Sequence, residues 1–228
     1  MPKSPAPGEA TSEAESMALR AQAAQMAVAI DTHQAAKLLQ LLDELAMWNR
    51  AYNLTAVAAR TTMITHHLLD SLAASADLVG ARIADLGTGA GFPGLPLAIL
   101  HPERQFTLID GTAKKIRFVA HAARTLGIAN VKAVHQRAET LVVDEPFDTL
   151  LARAVGTMPA LAQLAWPLAK PGTRLIAYKG QWPEGELVAW PERWRLLEAR
   201  AVTVPGLGAT RHLVLLEARA APAKSPAA

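Results

Sequence analysis

Short apolar runs alternate with helical stretches along most of this chain, and this alternation is the feature that most constrains its fold. From residue 82 the apolar runs are RIADLG, QFTLID, VKAVHQ, FDTLLARAV, TRLIAYKG and RHLVLLEA, with helical patterns at 95–101, 114–127, 158–169 and 184–190. Such alternation predicts an α/β fold with a mostly parallel sheet covered on both faces. Near the end, two strand-like runs flank the turn signal PGLG with no helix between them. This predicts a terminal hairpin, and therefore one antiparallel strand in a seven-stranded sheet.

The region before residue 82 has a helical pattern. Leu38, Leu41, Leu42 and Leu45 recur on one helical face within a pattern that spans 17–48, and a second helical pattern covers 61–78. We therefore expect an N-terminal helical region over 16–80 and a sheet domain over 81–219. Residues 1–15 and 220–228, rich in Ala, Pro and Ser, are expected to be flexible tails.

The composition excludes several classes of protein. The chain has 228 residues, of which 51% are hydrophobic, and it contains no cysteine. Disulfides, thiolate metal sites and cysteine nucleophiles are therefore excluded. No apolar run reaches the roughly 18 residues that a membrane span needs, and acidic residues stand where a secretory signal would begin. We expect a cytoplasmic protein with no membrane partner and no metal.

A glycine-rich segment, IADLGTGAGFPG at 83–94, follows the first predicted strand. Ligands of open α/β sheets bind beyond the carboxyl ends of the strands, where this segment lies. A P-loop is excluded because no Lys-Ser or Lys-Thr follows the glycines, and a dinucleotide fingerprint would need its third glycine at Phe92. The D-x-G-x-G-x-G spacing of Asp85, Gly87, Gly89 and Gly91 instead resembles the first motif of S-adenosylmethionine-dependent methyltransferases.

That resemblance implies a Rossmann-like class I methyltransferase domain and S-adenosylmethionine as its cofactor. Asp85 is expected to orient the glycine loop or to attract the amino group of the cofactor. Asp110 ends the second predicted strand and is expected to accept the ribose hydroxyls, since acids stand at similar spacing in nucleotide sites. The residues alone leave two simpler interpretations open: a tight strand–helix turn for the glycines, and a helix N-cap for Asp110.

Two features that the sequence lacks, a cysteine and a loop motif, narrow the choice of methyl acceptor. Carbon-5 methylation of pyrimidines uses a cysteine nucleophile, and the chain has none. Amino-group methylation typically shows an Asn/Asp-Pro-Pro-aromatic loop after the fourth strand, where this chain has RAVG at 153–156. Guanine N7 carries a free lone pair and needs no general base. A hydroxyl acceptor needs one, and the pair His66 and His67 keeps that alternative open.

Basic residues concentrate beyond the glycine loop. Between residues 104 and 137 there are seven Lys or Arg residues against one acid, Asp110. A surface of this kind suits contact with phosphates. We predict Lys114, Lys115 and Arg117 as RNA contacts, although an ordinary solvated helix face explains them nearly as well.

Four blocks together resemble the bacterial 16S ribosomal RNA (guanine-N7) methyltransferase G family, also called glucose-inhibited division protein B. They are WNRAYNLTAV (48–57), HHLLDSL (66–72), IADLGTGAGFPGLPLAI (83–99) and FDTLLARAV (147–155). The similarity covers about residues 38–217. It implies methylation of N7 of guanine 527, in the 530 loop of 16S rRNA, presented by the small ribosomal subunit or its assembly intermediates.

The resemblance also implies roles for individual residues. Gly87, Phe92, Ala138, Glu139 and Arg153 correspond to cofactor contacts of the family. Phe92 equally fits a core aromatic, and Glu139 equally fits an acid at a helix N-terminus. Arg153 is the residue we assign to catalysis, by orienting the guanine or by clamping the methionine carboxylate or an RNA phosphate.

Several weaker candidates complete the predicted site. Lys179 and Arg211 are predicted RNA contacts, with an ordinary surface charge and a hairpin end as alternatives. Tyr52 and Asn53 either cap the cofactor pocket or form a turn between two helices. Three tryptophans either stack on bases or pack in the core, which is the default expectation: Trp182, Trp190 and Trp194.

The chain departs from the family pattern at two positions. Gly111 and Ala152 stand where serines are usual, and neither position carries a residue that we assign to chemistry. Two further functions stay open from the residues alone. One is a small-molecule O- or N-methyltransferase that uses His66 or His67 as a base. The other is a binding or ribosome-assembly factor that keeps the fold without catalysis.

Overall fold

Two helices, not one, begin the described part of the chain. The structure, a computed structural model, describes residues 7–182, 184–186 and 191–220. Helix α1 (Pro7–Gln25) and helix α2 (Thr32–Tyr52) are separated by a turn in which Ala27 has φ 57°, so the prediction of one helical run over 17–48 is wrong. A capping box starts α2: Asp31 accepts the Gln34 backbone N–H at 2.7 Å, and the Gln34 side chain accepts the Asp31 N–H at 3.0 Å.

Helix α1 also begins inside the segment 1–15, for which the sequence predicts a flexible tail. Its first residue is Pro7, and proline is compatible with the first turn of a helix because no N–H is needed there. Alanine and glutamate, both strong helix formers, are frequent in the residues that follow. The helical region therefore extends further toward the N-terminus than hydrophobic periodicity indicates.

A second helical stretch precedes the sheet. Helix α3 (Arg60–Met63) continues into a π-helical turn (Ile64–Leu69) and then into α4 (Asp70–Leu72). The stretch ends earlier than the predicted residue 78, and a 3-10 turn (Ser75–Asp77) follows it. π-helical turns are rare and are often found at functional sites, and this one carries both adjacent histidines.

The sheet has seven strands in the order β3-β2-β1-β4-β5-β7-β6. Strands β1 to β5 are parallel, whereas β7 is antiparallel both to β5 and to β6, so the predicted parallel sheet with one antiparallel strand is confirmed. The strands are β1 (Arg82–Leu86), β2 (Gln105–Asp110), β3 (Val131–His135), β4 (Phe147–Arg153), β5 (Ala169–Lys179), β6 (Trp194–Val202) and β7 (Arg211–Ala218).

Three helices connect the parallel strands: α5 (Gly94–Leu100), α6 (Ala113–Thr125) and α7 (Met158–Ala165). The helix predicted over 158–169 ends at Ala165, because a 3-10 turn (Trp166–Leu168) leads directly into β5. Of the helix predicted over 184–190, Glu184–Glu186 is a 3-10 turn, and 187–190 lie outside the described residues.

The two faces of the sheet bury separate apolar clusters, one against α2, α5 and α6 and the other against α7. Trp194 belongs to the second cluster, where it is 1% exposed and donates its indole N–H to Ala162 O at 2.9 Å. The default expectation of core packing is thus confirmed for Trp194 and wrong for Trp182, which is 44% exposed, while Trp190 lies outside the described residues. No helix in the described part of the chain is long and apolar enough to cross a membrane.

Candidate active site

The loop between β1 and α5 is held in a conformation that favours glycine. Gly87, Gly89 and Gly91 have φ values of 67°, 61° and 90°, in the left-handed region that side chains disfavour. A Cβ at Gly87 would lie 2.9 Å from Val155 Cγ2, so this residue also lacks room for a side chain. The loop therefore brings bare backbone to the carboxyl end of β1, as the sequence predicts.

The side chain of Asp85 stabilises this loop through two hydrogen bonds. Its Oδ2 accepts a 2.6 Å hydrogen bond from the Thr88 hydroxyl and a 2.8 Å bond from the Gly94 N–H. The carboxyl group is fully buried, and burial raises its pKa to about 6 despite these two bonds. Of the two roles expected for Asp85, these contacts correspond to orientation of the loop.

Asp110 joins the glycine loop to the start of α6. Its Oδ2 accepts the Gly89 N–H at 3.0 Å and its Oδ1 accepts the Thr112 N–H at 2.8 Å. The residue that precedes α6 is Thr112, so Asp110 forms a local turn and is not the helix N-cap. Each carboxylate oxygen keeps lone-pair capacity for a further donor.

A cavity of about 300 Å³ opens beside Asp110. Residues predicted to bind the cofactor line it from the ends of three strands. Gly87 follows β1, Asp110 ends β2, and Ala138 and Glu139 follow β3. Apolar side chains complete the wall and suit a flat ring, while Asp110 suits vicinal hydroxyls. The further lining residues are Ile109, Gly111, Thr112, Arg137, Val155 and Leu164.

Arg153 ends β4 and is held by the N-terminal helical region. Its Nη1 donates to Asp70 Oδ2 at 2.9 Å and to His66 O at 2.8 Å. Asp70 is 1% exposed and also accepts from Arg211, at 2.5 Å from Nε and 3.1 Å from Nη2. One buried carboxylate thus joins two guanidinium groups, and we call this set (Asp70, Arg153, Arg211) the arginine clamp.

Phe92 connects the glycine loop to the arginine clamp. The Arg153 guanidinium carbon lies 5.8 Å from the Phe92 ring centroid, and the His67 ring stacks on the same ring at 4.7 Å. Phe92 is therefore both a packed aromatic, only 4% exposed, and a neighbour of the predicted catalytic arginine.

His67 is poorly suited to act as a base. Burial, and next the positive charge of Arg153, lower its pKa to about 4. Its Nε2 lies 3.1 Å from the Thr55 hydroxyl oxygen, which occupies one ring nitrogen. The adjacent His66 places Nδ1 3.1 Å from Thr62 O, so its ring is engaged with its own helix.

The predicted RNA-contacting residues differ in whether their charged groups are already bound to other residues of the protein. Lys179 Nζ donates to Gly156 O at 3.0 Å and to Glu186 Oε2 at 2.8 Å, and Arg211 is engaged in the arginine clamp. Lys114 Nζ donates to Tyr52 O at 2.7 Å, while Lys115 Nζ lies 3.8 Å from Asp110 Oδ2. Arg117 is solvent-exposed.

Within the described ranges, no cluster of three or more His, Cys, Asp or Glu side chains is arranged to hold a metal.

Two groups at this site were not predicted from the sequence. Asp70 was missed, although an acid inside the apolar block HHLLDSL was the signal that could have revealed it. Asn49 was also missed: its amide donates to Thr55 O at 3.0 Å and accepts the Thr55 N–H at 2.9 Å. Asn53 ends α2 in the left-handed region with φ 47°, which agrees with the predicted turn between helices.

The sheet order and the glycine loop are those of the class I methyltransferase fold, and solved structures share this architecture. The O-methyltransferase TomG from Streptomyces achromogenes, solved with S-adenosylmethionine, aligns with a TM-score of 0.54 at 18% identity, over 79% of this chain and 90% of TomG. TrmN from Thermus thermophilus aligns with a TM-score of 0.53 at 23% identity, over 69% of this chain and 48% of TrmN. At these identities the likeness concerns the fold alone. The residues that line the cavity beside Asp110 suit S-adenosylmethionine, the cofactor that the sequence predicts.

Sequence relatives narrow the assignment to a family. A family model described as rRNA small subunit methyltransferase G matches residues 34–214. Proteins named ribosomal RNA small subunit methyltransferase G are 45% identical over 192 residues in Xanthomonas campestris and 42% identical over 196 residues in Nitrosococcus oceani. These alignments cover 83% and 86% of this chain, and 90% and 92% of the relatives. The chain belongs to the rRNA small subunit methyltransferase G family.

Proposed function

We propose that this protein methylates N7 of guanine 527, in the 530 loop of 16S rRNA, within the small ribosomal subunit or its assembly intermediates in the cytoplasm. The names of the relatives support ribosomal RNA as the substrate class. The resemblance of the four sequence blocks to the guanine-N7 methyltransferases supports the acceptor atom. The observation that carries the proposal is an active site whose arginine is fixed while its nearest histidine is a poor base.

The proton balance of the site supports guanine N7 as the acceptor atom. His67 contacts Phe92 beside Arg153, and its pKa of about 4 leaves it little affinity for a proton at neutral pH. A hydroxyl or amino acceptor must lose a proton, whereas guanine N7 attacks with a lone pair that is already free. The site is therefore better matched to N7 than to an acceptor that needs a base.

Cofactor binding is assigned to the cavity beside Asp110. When bound, S-adenosylmethionine supplies an electrophilic methyl group. The Asp110 carboxylate accepts the ribose hydroxyls with its remaining lone pairs, and Gly87 allows close approach of the backbone. Ala138 and Glu139 border the same cavity, and the apolar side chains there bury the adenine ring.

Positioning of the guanine is assigned to Arg153. Its Nη1 is occupied by Asp70 and His66, so the guanidinium plane is fixed while other N–H groups stay available to the base. Because no proton has to be removed, catalysis consists mainly of alignment and exclusion of water. Good alignment lowers barriers by up to about 7–11 kcal/mol in favourable cases.

The decisive experiment is methyl transfer from labelled S-adenosylmethionine to small-subunit particles that lack the modification. Borohydride–aniline cleavage then locates N7-methylguanine along the RNA. We expect a single cut in the 530 loop, and loss of label with Arg153→Ala at unchanged cofactor affinity. The matched control is Arg195→Ala in β6, an exposed arginine that pairs with Glu217 at 2.7 Å, and this variant should retain activity.

Other results would favour the other functions. Label in free small metabolites but not in RNA would favour a small-molecule methyltransferase. Cofactor binding with no transfer to any acceptor would favour a binding or assembly factor.

A further inference from the structure

The block WNRAYNLTAV is not explained by cofactor binding, yet its end lies against the active site. Lys114, in the first turn of α6, donates to Tyr52 O at 2.7 Å, and Thr55 Oγ1 lies 3.1 Å from His67 Nε2. Residues 52–55 therefore run from the carboxyl end of β2 to the histidine that stacks on Phe92. This segment forms a rim of the site.

Tyr52 presents an aromatic ring to solvent on this rim. The residue is 44% exposed, and Trp48 supports it from one side at a centroid distance of 5.2 Å. Basic residues accompany it: Lys114 is bonded to its carbonyl, and Arg50 on α2 and Arg117 on α6, two and three residues away from Tyr52 and Lys114 along the chain, are solvent-exposed. An exposed ring among cations matches a polyanion that also offers flat surfaces.

Trp182 presents a second exposed ring beside the other half of the site. It follows the end of β5 by three residues, and its ring meets His212 edge-on at 5.3 Å. His212 pairs with Lys179 across the β5–β7 ladder and directly follows Arg211 of the arginine clamp. Trp182 is 44% exposed, and of the Trp, Tyr and Phe side chains in the described residues, it and Tyr52 are the exposed ones.

The strand order places Arg153 between the elements that carry the two rings. Tyr52 is bound through its carbonyl to Lys114, which follows the carboxyl end of β2, and Trp182 follows that of β5, with β1 and β4 between these strands in the sheet. Three strand spacings separate β2 from β5, which is about 14 Å. Arg153 ends β4 within this interval.

We propose that Tyr52 and Trp182 are stacking platforms for unpaired nucleotides on either side of the methylated guanine, a proposal that rests on the RNA substrate proposed above. Bases of single-stranded RNA loops stack on aromatic side chains because every base has a π-face. The rings hold the strand over the arginine clamp so that the target base enters between them. This assigns an RNA-binding role to the first sequence block and to the segment after β5.

The test compares ring-deleting with ring-preserving variants, on small-subunit particles that lack the modification. Tyr52→Ala and Trp182→Ala should each raise KM for the particles about tenfold, and together about a hundredfold. Tyr52→Phe and Trp182→Tyr keep a stacking ring and should stay within about threefold of the unsubstituted protein. Affinity for S-adenosylmethionine and the melting temperature should not change.

Leu197→Ala is the matched control, because Leu197 is 37% exposed in the middle of β6 and away from the carboxyl ends of the parallel strands. The proposal is overturned if the alanine variants keep the KM of the unsubstituted protein, or if the ring-preserving variants lose as much as the alanine variants. If the unsubstituted protein does not methylate the particles at all, the proposed function itself fails and the stacking role falls with it.

Discussion

Replacing Asp70 with alanine tests whether one carboxylate positions Arg153, the arginine to which we assign catalysis. Asp70 is 1% exposed, and the side chains of Arg153 and Arg211 are each 18% exposed, so the substitution leaves two mostly buried cations without their anion. Removing one partner of a buried ion pair costs about 3–5 kcal/mol. Because both arginines keep some contact with water, we expect the lower end, about 3 kcal/mol of unfolding free energy. For a chain of this size that lowers Tm by roughly 6–12 °C.

The same substitution should impair catalysis more than cofactor binding. Loss of the bond at 2.9 Å frees Arg153 to move, and a displacement of about 1 Å at a catalytic group costs around a hundredfold in kcat. The cofactor cavity does not include Asp70, so the Kd for S-adenosylmethionine should stay within about twofold, a change of only a few tenths of a kcal/mol. Chemical denaturation, isothermal titration and single-turnover methylation measure the three quantities separately.

The control is Asp43→Ala. Asp43 pairs with Arg60 at 2.7 Å, but its side chain is 66% exposed, so we expect less than about 1 kcal/mol. If Asp70→Ala costs no more than this control, or if it leaves kcat unchanged, the arginine clamp does not position Arg153 and the reasoning is wrong.

Three further predictions concern the cofactor site and its pH dependence. Asp110→Asn should weaken S-adenosylmethionine binding by about tenfold, measured by titration calorimetry, because bonds to a charged acceptor are worth about 1.5–3 kcal/mol. Gly87→Ala should destabilise the fold by more than the roughly 1–2 kcal/mol of left-handed strain alone, since its Cβ would also meet Val155 at 2.9 Å. The pKa of His67 is lowered from 6.5 to about 4, so the folded state favours its neutral form. Its contribution to the unfolding free energy is therefore full above pH 6.5 and is lost as the pH falls toward 4. The difference in unfolding free energy between the unsubstituted protein and His67→Gln should shrink by roughly 3 kcal/mol across that interval.

Each of these predictions has a matched control. Asp144→Asn changes an exposed acid and should leave cofactor affinity unchanged. Gly89→Ala has a similar φ of 61° but no atom within 4 Å of the added Cβ, so equal losses at both glycines would refute the role of Val155. His33→Gln changes an exposed histidine, and an equal pH effect there would refute the assignment to His67. The pKa of Asp85 is raised to about 6, so its contribution to the unfolding free energy changes with pH in the opposite direction. Asp85 is present both in the unsubstituted protein and in His67→Gln, so its contribution cancels in their difference.

The sequence by itself determined the architecture and the residues that line the cavity we assign to the cofactor. Hydrophobic periodicity is a local property, so the alternation of strands and helices could be read directly. Gly87 and Asp110 could also be found, because each follows its own strand and parallel strands end at one edge of the sheet. The break between α1 and α2 was missed even though its signal, the capping box of Asp31 and Gln34, is equally local.

Only the tertiary structure decided which charges are paired. Asp70 lies 83 residues from Arg153 and 141 residues from Arg211, and a composition or spacing argument does not connect groups that far apart. For the same reason Arg211 and Lys179 were predicted as RNA contacts, whereas the structure gives them Asp70 and Glu186 as partners. A charged side chain has the same letter in the sequence whether it faces solvent or a buried carboxylate. Its role is therefore decided when the fold brings its partner within hydrogen-bond distance.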